Sequence, residues 1–261
     1  MTQSIEGSLV EVGGDGPAVV LVHGLGMNHR MWDWQWETLT AQFRVLRYDL
    51  LGHGESPKPA GPYYMKQMVE QLTTLMSGAN MERAALVGFS LGGLIVQAFT
   101  LAHPGRVTAL AILNAAHDRT PEQRAAVMVR VEQAAAGGPQ TTVGAALTRW
   151  FSESFAAENP ETLARVKDWI EANDPQVYPA LYRLLAEADE PLAQAISEIS
   201  CPTLVVTGEE DFGNSPEMAR NMAALIPGAT CEILPGLRHM GLAEDPAALH
   251  RVLLPFLQAN A

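Results

Sequence analysis

The 261-residue chain is 48% hydrophobic and 18% charged, a composition that excludes a disordered or fibrous protein. Its formal net charge of −12, with no cluster of Lys and Arg, argues against nucleic acid as a partner, and no segment reaches the roughly 18 apolar residues of a membrane span. The length suits one domain with an insertion.

The opening stretch "MTQSIEGSLVEVGG" has no basic region followed by an apolar run, so nothing reads as a secretory signal and a cytoplasmic protein is expected. Short apolar runs bounded by turn residues then predict strands over 17–24, 43–52, 84–89, 107–114, 202–208 and 231–236. Helical patterns lie between them, at 63–77, 91–103, 216–226 and 246–258. Several of the strand runs are continuously apolar, as strands covered on both faces should be. The expected fold is therefore α/β, a mostly parallel sheet flanked by helices. From about 118 to 197 the strand signals vanish and four helix-like pieces follow one another. This predicts a helical cap (118–197) inserted into a core made of 1–117 and 198–261. Cys201 and Cys231 each head a run that reads as a buried strand, and two free core thiols are expected rather than a disulfide or a metal site.

One motif carries chemistry. "ALVGFSLGGL" sets Ser90 between Gly88 and Gly92, after a strand and before a helix. A serine hydroxyl is a poor nucleophile unless a base, an orienting acid and a site for developing negative charge serve it. Gly-x-Ser-x-Gly in this context is the signature of a sharp, strained strand-to-helix turn, which side chains two residues away would obstruct. The helix beginning at Leu91 points its first amides toward the hydroxyl. A second backbone donor is expected from "VHGLGMN", where Gly24 lets the chain turn and frees the amide of Leu25. His23 in the same stretch is read as a backbone-bonded structural residue.

Among seven histidines, His239 in "LPGLRHMGLAEDP" sits on a loop after the last strand, at the sheet edge that also carries Ser90. Asp211 in "VVTGEEDFGNSP" follows the preceding strand, with Glu209 and Glu210 as competing acids and Asp118 as a less favoured substitute. Trp150 and Met128 are the candidates for an apolar substrate wall. For a carboxylated substrate, one or more of Arg124, Arg130, Arg149, Arg165 and Lys167 should turn inward.

Together, "LVHGLGMNHRMWDWQ", "FRVLRYDLLGHGES", "LVGFSLGGL", "LVVTGEEDF" and "GLRHMGLAEDP" resemble the α/β-hydrolase superfamily over nearly the whole chain. The "RMWD" and "FRVLRYDxxGHG" stretches and "TRWFSESF" are most similar to 3-oxoadipate enol-lactonases and related lactone or ester hydrolases. The chain departs from relatives at Leu51, where they often carry Arg. The resemblance implies Ser90 as nucleophile, His239 as general base and acid, Asp211 as its orienter, and the Leu25 and Leu91 amides as oxyanion hole. It also implies a small-molecule substrate and no cofactor or metal. Two alternatives keep the fold: a carbon–carbon bond hydrolase or cofactor-free haloperoxidase, and a slow-turnover, receptor-like ligand binder.

Overall fold

A computed structural model describes residues 2–261. The apolar runs form strands: β3 (Ala18–Val22), β4 (Arg44–Tyr48), β5 (Ala84–Phe89), β6 (Val107–Leu113), β7 (Thr203–Gly208) and β8 (Thr230–Leu234). Two further strands precede them, β1 (Thr2–Ile5) and β2 (Ser8–Gly13). The sheet order is β1-β2-β4-β3-β5-β6-β7-β8. Pairing is antiparallel from β1 through β2 to β4 and parallel across the remaining strands.

Parallel neighbours need crossovers, and helices Met65–Gly78, Leu91–Ala102 and Pro216–Leu225 provide them. Every residue of β5 and β7 is buried, which explains their unbroken apolar sequence. β8 is different: as the edge strand it alternates exposed and half-buried residues before Leu234. Cys231 at its head, and Cys201 just before β7, are therefore free but only half-buried, not the core thiols expected. Burial nonetheless raises the pKa of both thiols.

The β1–β2 hairpin escapes the sequence reading because Glu6 and Gly7 make its turn, both with positive φ (48° and 82°). Glu is not a residue that announces a left-handed turn. The helix Asp33–Thr40 is likewise unannounced, since "DWQWETLT" has no apolar stripe.

Between β6 and β7 the chain forms helices Pro121–Gly137, Gln140–Trp150, Glu153–Glu158, Pro160–Glu171, Tyr178–Glu187 and Leu192–Ala195. One of the four helix-like pieces, "VGAALTRWFSESFAAE" over 143–158, breaks in two because Phe151 is extended (φ −119°, ψ 144°) and Ser152 caps the next helix, accepting from Phe155 N. Within this insertion Asp189 pairs with both Arg119 (2.7 Å) and Arg124 (3.1 Å). Among the described residues one ion pair ties the insertion to the rest of the molecule. Arg165 pairs with Asp33 and lies over Trp34 and Trp169. Among the described residues no helix is long and apolar enough to cross a membrane.

Candidate active site

Because β3, β5, β6, β7 and β8 run parallel, the loops leaving their C-terminal ends share one edge of the sheet. That edge receives, in turn, Gly24–Leu25, Ser90, Asn114, Asp211 and His239. A cavity of about 80 Å³ opens there, and Leu25, Ser90, Asp211, His239 and Trp150 all contribute to its wall.

Ser90 has φ 54° and ψ −114°, a left-handed conformation that costs a non-glycine residue about 1–3 kcal/mol. Its amide donates to Leu113 O (2.9 Å), which fixes the turn against β6. A Cβ on Gly88 would lie 2.3 Å from Gly92 O, and one on Gly92 2.1 Å from Val22 O. A Cβ on Gly24 would meet the Phe89 ring at 3.0 Å and Ser90 Cβ at 3.2 Å, so a larger residue there would have to push these neighbours aside by a few tenths of an ångström. Leu25 N makes no hydrogen bond among the described residues, and Leu91 is the first residue of its helix, where amides lack intrahelical partners.

His239 is buried, and its Nδ1 lies 2.7 Å from Asp211 Oδ2. A carboxylate can only accept, so Nδ1 carries the proton and Nε2 is the basic position. Among the described residues neither Nε2 nor Ser90 Oγ has a hydrogen-bond partner. The ring packs on Phe89 (centroids 4.8 Å apart) and Trp150 (5.5 Å).

Asp211 is more elaborately held than its sequence context suggests. Oδ2 also accepts from Asn114 Nδ2 (2.9 Å), and Oδ1 accepts from the amides of Gly213 (3.1 Å) and Asn214 (3.0 Å). Burial pushes the Asp211 carboxyl up, but the His239 ring, Asn114 and the Asn214 amide outweigh it, and the pKa lies below the ordinary carboxylate value. Asn214 Nδ2 stands 3.3 Å from the protonated Nδ1, to which it cannot donate; it donates to Asn114 O (2.8 Å) instead. Glu209 and Glu210, the competing acids, are occupied elsewhere, by the Gly236 amide and by Arg238. Asp118 is not part of the cavity wall.

His23 behaves as a structural residue. Nδ1 donates to Gly24 O (2.8 Å), Nε2 accepts from Leu50 N (2.9 Å), and burial lowers its pKa to about 4. His29 bonds Asp49 through Nδ1 at 2.8 Å, away from the cavity. Trp32, Trp34 and Trp36 do not reach the cavity, whereas Met27 does.

The insertion supplies the opposite wall. Trp150 lines the cavity as expected, but Met128 does not; Val127 takes its place, because one residue along a helix turns the side chain by about 100°. Of the five candidate cations, Arg124 pairs with Asp189, Arg165 with Asp33 and Lys167 with Glu171, leaving Arg130 and Arg149 on the cavity. Two contacts between distant segments had no sequence signal. Asn173 Nδ2 donates to Gly26 O (2.9 Å) and so holds the loop that carries Leu25. Met240 N donates to Trp150 O (2.9 Å) and Arg238 Nη1 to Phe151 O (2.8 Å), which lock the His239 loop to the Trp150 wall.

A strained serine on a strand-to-helix turn, sharing a cavity wall with a carboxylate-bound histidine from a later loop, is the arrangement of the α/β hydrolases. Residues 17–246 match the family model described as alpha/beta hydrolase fold, and the chain belongs to that family. It is 31% identical to an (E)-2-((N-methylformamido)methylene)succinate hydrolase of Acinetobacter baylyi, over 95% of this chain and 92% of that one. It is 28% identical to 3-oxoadipate enol-lactonase 2 of the same organism, over 92% and 88%. An enol-lactonase structure from Burkholderia xenovorans superimposes with a TM-score of 0.91 at 30% identity, covering 99% of this chain and 100% of that one. The protein is thus an α/β-hydrolase similar to enol-lactonases.

Proposed function

We propose that the protein is a serine hydrolase cleaving a small ester or lactone through an acyl-enzyme, with Ser90, His239 and Asp211 as its triad. The observation that carries this reading is the meeting, on one cavity, of a strained Ser90 and a His239 whose Nδ1 proton is committed to Asp211. His239 Nε2 takes the Ser90 proton as Oγ attacks the carbonyl carbon. The amides of Leu25 and Leu91 receive the oxyanion, each contributing on the order of 3 kcal/mol. The carbonyl–oxygen bond breaks as His239 returns the proton to the leaving oxygen; with a lactone that alcohol stays tethered to the acyl group. Water, deprotonated by His239, then cleaves the acyl-enzyme and restores Ser90. The helical segment 118–197 acts as a lid that bounds the substrate, and no step calls for a metal or cofactor.

Steady-state rates on an enol-lactone, a short acyl ester and a vinylogous 1,5-diketone test the assignment. Turnover of the first or second, abolished in Ser90→Ala, supports it; turnover of the diketone alone overturns it. Tight ligand binding without turnover would favour the receptor-like alternative.

Asn114 is expected to be a positioning residue in this scheme. Its backbone is left-handed (φ 49°), so Asn114→Gly removes the amide donor without backbone strain. Losing one hydrogen bond to a charged group should lower kcat about tenfold with KM little changed. Asn114→Asp also tolerates the backbone and sets a second negative charge beside Asp211. That charge stabilises the imidazolium, so the acid limb of the kcat/KM profile should move to higher pH. An unmoved profile together with full kcat would assign Asn114 a purely structural role.

A further inference from the structure

The ring of His239 is bound at Nδ1 by Asp211 and flanked by two aromatic rings, Phe89 (4.8 Å) and Trp150 (5.5 Å). A hydrogen bond at Nδ1 alone lets the ring rock about that contact, and Nε2, across the ring, moves with it. The rings packed on it therefore set where Nε2 points. Phe89 belongs to β5 and is fully packed in the sheet. Trp150 is different: it is half-buried, it ends the helix Gln140–Trp150, and the chain is extended at the very next residue. A helix end of this kind frays unless its free carbonyls find partners.

Those partners come from the segment that carries His239. Thr148 O and Phe151 O both accept from Arg238 Nη1 (3.1 and 2.8 Å), and Trp150 O accepts from Met240 N (2.9 Å). Beyond Phe151, the amide and the hydroxyl of Ser152 donate to the two carboxylate oxygens of Glu244 (3.1 and 2.8 Å). A guanidinium on the carbonyls that end a helix is the favourable sign of charge, and hydrogen bonds to a carboxylate are stronger than neutral ones. Burial pushes the Glu244 carboxyl above its ordinary value, against the pull of Ser152 and Arg238. Trp150 is thus gripped on both sides by residues 238–244, and the same stretch holds the histidine on which its ring packs.

Resting on the hydrolase reading, we infer that Glu244 and Arg238 are positioning residues: they latch the 148–152 segment of the insertion onto the loop of the base, so that Trp150 and His239 move as one body and Nε2 keeps the orientation that serves Ser90. Neither side chain lines the cavity, so both act through Trp150 rather than on the substrate. The Trp150 wall then belongs to the catalytic frame and does not swing clear as substrate enters.

The test is a double-mutant cycle on phenyl acetate. Glu244→Ala should lower kcat about tenfold, the equivalent of one lost hydrogen bond to a charged group, with a smaller change in KM. Glu244→Gln, which keeps the volume and one acceptor, should recover most of that loss. In a Trp150→Ala background the alanine substitution should cost less than about twofold, because the ring through which it acts is gone. Losses that simply add, an undiminished kcat in Glu244→Ala, or a loss confined to KM would overturn the inference. Should Glu244→Ala fail to fold, Arg238→Met carries the same cycle with the same expectation. A second arm needs no turnover: acrylamide quenching of the Trp150 emission, taken as the difference between the protein and its Trp150→Phe form. The quenching constant should rise about twofold in Glu244→Ala as the indole comes loose from His239, and an unchanged constant overturns the latch. If neither phenyl acetate nor an enol-lactone is cleaved, the hydrolase reading fails while the quenching still decides whether Glu244 holds Trp150.

Discussion

Ser90→Ala is expected to reduce kcat on any ester or lactone the protein accepts by about 10,000-fold or more, with KM nearly unchanged. The hydroxyl oxygen forms the bond that defines the acyl-enzyme, so no neighbour can substitute for it. The residual rate over water would come from the Leu25 and Leu91 amides and from substrate positioning. Folding should be indifferent, because Ala and Ser suffer the same strain at φ 54° and Ser90 Oγ has no hydrogen-bond partner to lose. A calorimetric scan should therefore give the wild-type midpoint. Asp211→Asn should follow with a loss of about the same order, since an amide at Oδ2 favours the wrong His239 tautomer. It would also turn an NH₂ group toward donors now satisfied by the carboxylate, namely Asn114 and the amides of Gly213 and Asn214. A Ser90→Ala protein retaining more than about a tenth of the wild-type rate would remove Ser90 from the chemistry, and with it the triad.

Legibility in the sequence follows the range of the interactions involved. β5 and β7 are readable because burial on both faces demands an unbroken apolar run, and the turn at Ser90 is readable because steric crowding demands glycine two residues away on both sides. Asp211 and His239 are readable because parallel strands send their C-terminal loops to one edge. What the sequence conceals depends on partners far along the chain. Asn114 meets Asp211 across 97 residues, and Asn173 meets Gly26 across 147. The insertion shows the same limit. Its helices are evident, but the face each turns to the cavity is set by packing, so Val127 rather than Met128 lines the wall. The two cations that face inward are separable from the three that do not only once Asp189, Asp33 and Glu171 have found their partners.

The largest loss of stability is expected from Gly92→Ala. A Cβ at this position would lie 2.1 Å from Val22 O and 2.6 Å from His23 O, both backbone atoms at the end of β3. Neither carbonyl can rotate away as a side chain would, since β3 is hydrogen-bonded between β4 and β5. Relief requires the helix Leu91–Ala102 to move off the sheet against which Leu94, Ile95 and Phe99 are fully packed. Overpacking of this kind costs about 3 kcal/mol or more. At roughly 2–4 °C per kcal/mol for a domain of this size class, the thermal midpoint should drop by about 6 °C or more. Gly144→Ala is the matched control: it sits inside the helix Gln140–Trp150 with nothing within 4 Å of an added Cβ. There alanine should stabilise by up to about 1 kcal/mol, because glycine is the poorer helix former. The sign of the shift should therefore reverse between two identical substitutions. Hydrolytic rate should track the first and ignore the second, since displacing the helix moves the Leu91 amide away from the Ser90 hydroxyl. A Gly92→Ala protein with an unchanged midpoint would mean that the serine turn is not clamped between β3 and its helix, and the strain assigned to Ser90 would lose its structural cause.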